Sequence, residues 1–254
     1  MKHRSLEREF VFNKRAAGVP AVMVDRGIAS FGKTPIIQPH MTVAEAVLSL
    51  LDFEKLRANP LRHDPFDFVV VENFVRAEHL PGVIADFPPL GRHGSFPLAG
   101  QRYGAAFAHL AEELEGDAMR RAVEDKFAID LAGRPTMITL RGYSDGKDGR
   151  IHTDTATKLI TVLIYMNPVW EEEAGRLRLL RGAGDLEDFA AEIPPVAGTM
   201  VAFRRSEKSF HGHQPHIGER RSIQLNWVTD RSVVRRELGR HRWSARFKAL
   251  NPFA

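Results

Sequence analysis

Short apolar stretches separated by turn residues dominate the chain from about residue 136 onward. In several of them apolar and polar residues alternate, which is the pattern of a strand with one buried face. Strands are therefore expected at 136–143, 150–154, 158–166, 176–180, 192–196, 199–203, 209–213 and 221–229. Short strands at this spacing favour a double-layer jelly roll, a mainly β fold with helical support, over an alternating α/β fold.

The first half of the chain shows helical periodicity instead. Thr42 and Glu45 have the spacing of a capping box, which marks the start of a helix. The expected elements are a helix over 43–58, a strand over 66–71, and helices over 76–87 and 104–129. Gly116 weakens the middle of the last helix and is expected to split it. Helices of this kind cover one face of a sheet that would otherwise be exposed.

Three regions follow from this pattern. Residues 1–65 form an N-terminal extension with one helix, and residues 66–230 form a jelly-roll domain with its support helices. Residues 231–254 carry many arginines among apolar positions and predict a basic C-terminal helix packed on the core.

Composition limits the possible chemistry. The 254 residues include no cysteine, so a metal site would have to use histidine and carboxylate ligands. The absence of cysteine and of a recognisable signal peptide favours a cytoplasmic protein. No apolar run approaches the ~20 residues that a membrane helix needs. The net charge of +4 is too small to favour a nucleic-acid partner, and the oligomeric state is not indicated.

A glycine-rich loop delivers His152 and Asp154 just before an apolar strand. In extended backbone both side chains leave on the same face, because side chains alternate along a strand. An imidazole and a carboxylate that converge in this way supply two of the three ligands of a facial triad for non-haem Fe(II). The third ligand must then be a histidine from another strand. His211, which lies 59 residues further on, is the candidate.

His213 competes with His211, since both lie on the same face of the predicted strand. The pair also matches the His-x-His of cupins, which are metal-binding jelly rolls. That pattern requires a glutamate a few residues after the second histidine, whereas Glu219 is six residues beyond it. His213 and His216 are otherwise expected to face substrate or solvent.

The last predicted strand carries two adjacent arginines. Arg221 shares a face with Ile223, Leu225 and Trp227, whereas Arg220 points the other way. A cation that points into an apolar barrel needs a carboxylate partner, because an unpaired buried charge is costly. Arg221 is therefore expected to bind an anionic group inside the jelly roll.

Six motifs occur in a consistent order. They are His-x-Asp (152–154), Tyr-x-Asn (165–167), Ala-Gly-x-Leu-x-Leu (174–179), Pro-x-x-Gly-x-x-x-x-Phe (195–203), Ser-x-His (209–211) and Arg followed six residues later by Trp (221–227). Together they resemble the 2-oxoglutarate- and Fe(II)-dependent dioxygenases, in particular the prolyl 4-hydroxylase-like branch. The resemblance covers roughly residues 66–230.

This resemblance implies a set of cofactors and roles. Fe(II) would be held by His152, Asp154 and His211, and 2-oxoglutarate would be the cosubstrate. Arg221 would bind the distal carboxylate of 2-oxoglutarate, and the hydroxyls of Tyr165 and Tyr143 would assist.

The implied reaction consumes O₂, hydroxylates a C–H bond and releases succinate and CO₂. The substrate would be a small molecule or peptide, namely a peptidyl or free amino acid, with prolyl as the default. A cupin-like metalloenzyme and a non-catalytic jelly-roll binding module are the alternatives, although a binding module would not need three metal ligands and Arg221 together.

Overall fold

The computed structural model describes residues 49–236 and residue 239. Its helices are α1 (Phe53–Ala58), α2 (Leu80–Ala85), α3 (Ala105–Glu115) and α4 (Asp117–Phe127). Its strands are β1 (Phe68–Val71), β2 (Phe96–Pro97), β3 (Thr136–Ser144), β4 (Lys158–Tyr165), β5 (Leu177–Leu180), β6 (Phe189–Ile193), β7 (Met200–Arg204), β8 (His211–Gly212) and β9 (Gly218–Val228).

The strands form two antiparallel sheets. The larger sheet has the order β1-β7-β4-β9-β3-β2, and the smaller one has the order β6-β5-β8. Side chains of β3, β4 and β9 from the larger sheet line one cavity together with side chains of β5 and β8 from the smaller sheet. The two sheets therefore face each other across this cavity, which is the arrangement predicted for a jelly roll.

Most of the hydrophobic core lies on the other face of the larger sheet, against the helices. Ile223, Leu225 and Trp227 of β9 pack there with Leu110 and Leu114 of α3. A smaller apolar cluster fills one end of the space between the sheets; it contains Phe66, Phe68, Tyr165, Leu177, Leu179, Ile193, Val201 and Phe203. The interior of the jelly roll is thus free to be polar elsewhere, because the helices bury the apolar face of the sheet.

The predicted break at Gly116 is present. Gly116 has extended backbone (φ −75°, ψ 162°) and separates α3 from α4. The resulting helix pair packs on the sheet through residues such as Phe107 and Met119, which are fully buried. Glycine has a poor helix propensity, so a chain turn at this position costs little.

Several boundaries differ from the sequence expectation. Among the described residues, the first helix begins only at Phe53, because Leu51 pairs with Val75 in an isolated bridge. The strand expected at 150–154 is reduced to a single bridge between His152 and His211. Strand β2 was not predicted, since the pair Phe96–Pro97 sits within a glycine- and histidine-bearing loop.

The ends of the chain are described only in part. Residues 231–236 are helical, and Val233 is buried against the jelly roll. The rest of the predicted basic helix, apart from residue 239, lies outside the described residues, as does most of the region 1–65. Within the described part of the chain, none of the helices has the length and apolar character required to cross a bilayer.

Candidate metal and cosubstrate site

A cavity of about 350 Å³ lies between the two sheets. Its floor is built by alternate residues of three neighbouring strands of the larger sheet. Cross-strand register places them in rows: Arg141, Ser222 and Tyr165; then Thr139, Gln224 and Leu163; then Met137, Asn226 and Thr161. Because side chains alternate along each strand, every second residue reaches the same cavity.

The three predicted metal ligands converge at this cavity. His152, Asp154 and His211 each offer a ligand atom, and these atoms lie within 4.8 Å of one another. The two histidines are paired in the backbone: His152 N donates to His211 O at 3.0 Å, and His211 N donates to His152 O at 2.9 Å. This pairing fixes the ligand loop against β8 and sets their rings 4.3 Å apart.

Hydrogen bonds orient both imidazoles. The Nδ1 atom of His152 lies 2.8 Å from Arg150 O, and the Nδ1 atom of His211 lies 3.0 Å from Ser209 O. A carbonyl can only accept, so each Nδ1 carries the proton and each Nε2 keeps its lone pair for a metal. Burial, followed by the nearby His152, lowers the pKa of His211 to about 4. His211 is therefore neutral at pH 7, which is the state that binds a metal.

Asp154 is held by two donors. Lys158 Nζ lies 2.7 Å from Asp154 Oδ1, and Thr161 Oγ1 donates to Asp154 Oδ2 at 2.5 Å. Asn226 Nδ2 donates in turn to Thr161 Oγ1 at 2.8 Å. Burial alone would raise the pKa of the Asp154 carboxyl, but the charge of Lys158 and these hydrogen bonds hold the pKa below its ordinary value. Asp154 is thus an ionised carboxylate with a fixed orientation.

A second polar cluster in the cavity contains Arg220 and Tyr165. Arg220 is only 7% exposed, and its Cζ lies 5.4 Å from the centre of the Tyr165 ring. Its Nε donates to Gly175 O at 2.8 Å. Within the described part of the chain, no carboxylate pairs with Arg220, and the buried hydroxyl of Tyr165 has no hydrogen-bond partner. A buried cation beside an unpaired hydroxyl is an arrangement that fits an anion.

The prediction that Arg221 points into the jelly roll is wrong. Arg221 lies on the opposite face of β9, where its Nε donates to Glu219 Oε1 at 2.5 Å and its guanidinium lies over Phe87. The apolar face that it shares with Ile223 packs against the helices rather than into the cavity. The face of β9 that lines the cavity is the polar one, and Arg220 belongs to it.

The remaining predicted residues lie at different depths. Tyr165 lies in the cavity and is 1% exposed, whereas Tyr143 lies at its rim and is 36% exposed. His213 lines the cavity but is not one of the three converging ligands, and its Nδ1 lies 2.8 Å from Gln214 O. His216 lies outside the cavity lining, packed on Trp170 with its Nδ1 2.9 Å from Glu172 Oε2.

The sequence expectation missed two kinds of residue. Thr161 donates to Asp154, and Asn226 donates to Thr161. Thr161 could have been found from the alternation of side chains along β4, because it lies on the same strand face as Tyr165. Arg141 also lines the cavity, and it lies on the same face of β3 as Tyr143. Gly149 has no chemistry of its own, but at φ +88° a Cβ would lie 2.4 Å from His213 O, so only glycine fits this turn of the ligand loop.

Residues 138–229 match the family model of the 2OG-Fe(II) oxygenase superfamily. The matched segment runs from β3 to the end of β9 and contains the three converging ligands, Tyr165 and Arg220. This match agrees with the family resemblance and the jelly-roll fold predicted from the sequence motifs. No curated protein matches the sequence.

Several solved structures are similar in fold. A prolyl-4-hydroxylase from Pseudomonas putida is 18% identical, with a TM-score of 0.47, and the match covers 70% of this chain and 92% of that one. HygX from Streptomyces hygroscopicus, solved with nickel and 2-oxoglutarate bound, is 14% identical, with a TM-score of 0.47 and coverage of 70% and 86%. A viral collagen prolyl hydroxylase from Paramecium Bursaria Chlorella virus-1 is 15% identical, with a TM-score of 0.45 and coverage of 64% and 96%. At these values the likeness does not extend to substrate.

Proposed function

We propose that this chain is a 2OG-Fe(II) oxygenase in which His152, Asp154 and His211 hold Fe(II) and Arg220 binds 2-oxoglutarate. The match of residues 138–229 to the model of that superfamily supports the proposal. The observation that carries the proposal is the convergence of these three ligands within 4.8 Å at the cavity that also contains Arg220. Two imidazoles and one carboxylate are the ligand set of a facial triad, which leaves positions open for the cosubstrate and O₂.

The donor set fits Fe(II). Both imidazoles keep Nε2 free because their Nδ1 atoms are hydrogen bonded to backbone carbonyls. Thr161 and Lys158 fix the orientation of the Asp154 carboxylate and keep it ionised. When bound, Fe(II) together with 2-oxoglutarate and O₂ supplies the oxidising chemistry that hydroxylates a C–H bond and releases succinate and CO₂.

The cavity also fits the cosubstrate. Among the described residues, the guanidinium of Arg220 makes one hydrogen bond within the distance criteria, from Nε to Gly175 O, and the buried hydroxyl of Tyr165 beside it has none. Burial raises the pKa of Tyr165, so this hydroxyl stays protonated. These groups would bind the distal carboxylate of 2-oxoglutarate with charge-assisted hydrogen bonds. Tyr143 is 36% exposed at the rim of the cavity, so we assign it to the substrate instead of the cosubstrate role that the resemblance implies.

The other sequence interpretations are not favoured. A cupin-like site would use His213 as a ligand, but His213 is outside the group of converging ligand atoms. A non-catalytic binding module would have no need for a buried cation and an unpaired hydroxyl next to three ionisable metal ligands. For the substrate, we retain a peptidyl or free amino acid, with prolyl as the default of the family resemblance.

The test is metal-dependent turnover of 2-oxoglutarate. The protein is incubated with Fe(II), 2-oxoglutarate and ascorbate in air, with a panel of amino acids and proline-containing peptides, and succinate is measured. We expect succinate that depends on Fe(II) and O₂ and that is lost in Asp154→Ala and His211→Ala.

His213→Ala is the matched control for the metal site, because His213 lines the same cavity without being a converging ligand. In Mn(II) titrations it should bind metal like the wild type, whereas His211→Ala should not. A His213→Ala protein that loses metal while His211→Ala keeps it would overturn the ligand assignment. A wild type that binds metal but forms no succinate with any compound would overturn the proposed reaction.

A further inference from the structure

Arg141 is a cavity residue for which the proposed reaction has no use. It lies on β3 directly opposite Ser222, and Ser222 lies opposite Tyr165 on the other side. Arg141 and Arg220 both line the cavity, on neighbouring strands whose register shifts between Arg141 and Tyr143. The side chain of Arg141 is 40% exposed, whereas Arg220 is deeply buried, so Arg141 lies nearer the mouth.

The guanidinium of Arg141 makes few polar contacts with the described residues. Its nearest carboxylate is Asp148, with Nη1 3.7 Å from Oδ1, and it donates no hydrogen bond within the part of the chain that the structure describes. The other oxygen of Asp148 already accepts from Asp145 N at 2.9 Å. By comparison, Arg178 of the smaller sheet makes hydrogen bonds of 2.7 Å to Glu192 and 2.6 Å to Glu187. The planar fork of Arg141 thus faces the cavity with its donors largely unused.

The charges that line the cavity do not balance. Its cations are Arg141, Lys158 and Arg220, and its carboxylates are Asp148 and Asp154. The charges of Fe(II) and 2-oxoglutarate cancel each other, so one positive charge remains in excess. Lys158 is already 2.7 Å from Asp154, and Arg220 is the proposed partner of the cosubstrate. The excess is therefore located at Arg141, which has Asp148 at 3.7 Å as its partner.

We propose that Arg141 binds a carboxylate of the substrate, so that the substrate is a small carboxylic acid such as a free amino acid rather than an internal residue of a peptide. The proposal rests on the proposed function, which assigns the two carboxylates of 2-oxoglutarate to the metal and to Arg220. A substrate that enters past Arg141 would present its own carboxylate there and its reacting C–H bond to the metal ligands. An internal peptide residue has no carboxylate at this position.

The chain offers a closely matched control variant. Arg121 on α4 is 42% exposed and lies 3.8 Å from Asp117, which resembles the exposure of Arg141 and its distance from Asp148. It does not line the cavity. Arg141→Gln and Arg121→Gln therefore remove the same charge from similar surroundings, inside and outside the cavity.

The experiment measures binding to protein loaded with Mn(II) and saturated with N-oxalylglycine, an unreactive analogue of 2-oxoglutarate. The probes are the common L-amino acids, the same compounds as carboxamides, and an acetylated and amidated proline tripeptide, each titrated by calorimetry. We expect at least one free acid to bind much more tightly than its amide and the blocked peptide. Arg141→Gln should weaken that acid roughly 10- to 100-fold, and Arg121→Gln should not change it.

Three results would overturn the inference: no acid binds, acid and amide bind equally, or Arg141→Gln binds the acid like the wild type. A fourth is a loss of affinity for 2-oxoglutarate in Arg141→Gln as large as in Arg220→Gln, which would make Arg141 a cosubstrate residue. Failure of the proposed function looks different. In that case the acid would bind through Arg141, but the Fe(II) protein would form no succinate in its presence.

Discussion

Replacement of Arg220 by glutamine is the sharpest test of the cavity. Arg220 is 7% exposed and has no carboxylate partner among the described residues, so the cosubstrate would complete a desolvated pair. The loss of one partner of such a pair costs about 2–5 kcal/mol of binding free energy. At ~1.4 kcal/mol per factor of ten, the Kd of 2-oxoglutarate should rise roughly 30- to 4,000-fold.

The same substitution should hardly affect the protein without cosubstrate. Glutamine can replace the Nε donor that binds Gly175 O, and it removes a buried charge whose solvation was lost on folding. We expect the free energy of unfolding to change by no more than ~1 kcal/mol. A large loss of cosubstrate affinity with little change in stability separates a binding role from a structural role.

The Mn(II) protein is titrated with 2-oxoglutarate, and binding is measured both by calorimetry and by the rise in the midpoint temperature of thermal unfolding. Arg221→Gln is the control, because Arg221 is the adjacent residue on the other face of β9 and forms an exposed pair with Glu219. Surface pairs of this kind contribute ~0–1 kcal/mol, so Arg221→Gln should bind 2-oxoglutarate like the wild type. Equal losses in both variants, or a larger loss in Arg221→Gln, would refute the assignment of Arg220.

Three further predictions concern the surroundings of the site. Thr161→Val removes the hydroxyl that donates to Asp154 at 2.5 Å and should weaken Mn(II) binding roughly 10- to 100-fold, whereas Thr161→Ser should restore it. Gly149→Ala forces a Cβ against His213 O at φ +88° and should lower the free energy of unfolding by ~1–3 kcal/mol in urea, whereas Gly146→Ala, with its nearest contact at 3.6 Å, should not. Burial, followed by the charge of Arg220, lowers the pKa of His213 from 6.5 to about 4, and the pKa of His211 is also lowered to about 4. The unfolded chain binds a proton at each histidine that the folded chain does not, so in chelator-treated protein the stability present above pH 6.5 should fall by roughly 3 kcal/mol for each of them as the pH drops toward 4. His213→Gln should remove about half of this pH dependence, and an unchanged slope would exclude a contribution from the His213 titration.

Much of the fold could be predicted from the sequence because local signals and tertiary packing agree. The alternation in 136–143 and 221–229 corresponds to β3 and β9, which lie side by side in the larger sheet. The weak helix propensity of Gly116 placed the break between α3 and α4. The strand over 150–154 could not be predicted correctly, since its β-like residues belong to a loop held only by the bridge from His152 to His211.

Candidate metal ligands could be nominated from the sequence because histidine and aspartate are recognisable by type. The side of the sheet to which a side chain points was harder to predict. The His-x-Asp spacing nominated His152 and Asp154, and the order of the family motifs selected His211 over His213 as the third ligand. Choosing between Arg220 and Arg221 required knowing which face of β9 lines the cavity. The sequence pattern shows that the two faces differ, but it does not show which of them is covered by helices.

The error at Arg221 has a physical origin that applies to jelly rolls with helical support. The apolar face of a strand was taken to point into the barrel, as it would in a barrel filled by side chains. Here α3 and α4 supply a second hydrophobic layer outside the larger sheet, and this layer buries Ile223, Leu225 and Trp227. Because the apolar face of β9 is already buried by the helices, its inner face can be polar. Ser222, Gln224 and Asn226 on that inner face line a cavity for charged ligands. The premise that a buried arginine needs an anionic partner still holds, but it applies to Arg220 rather than to Arg221.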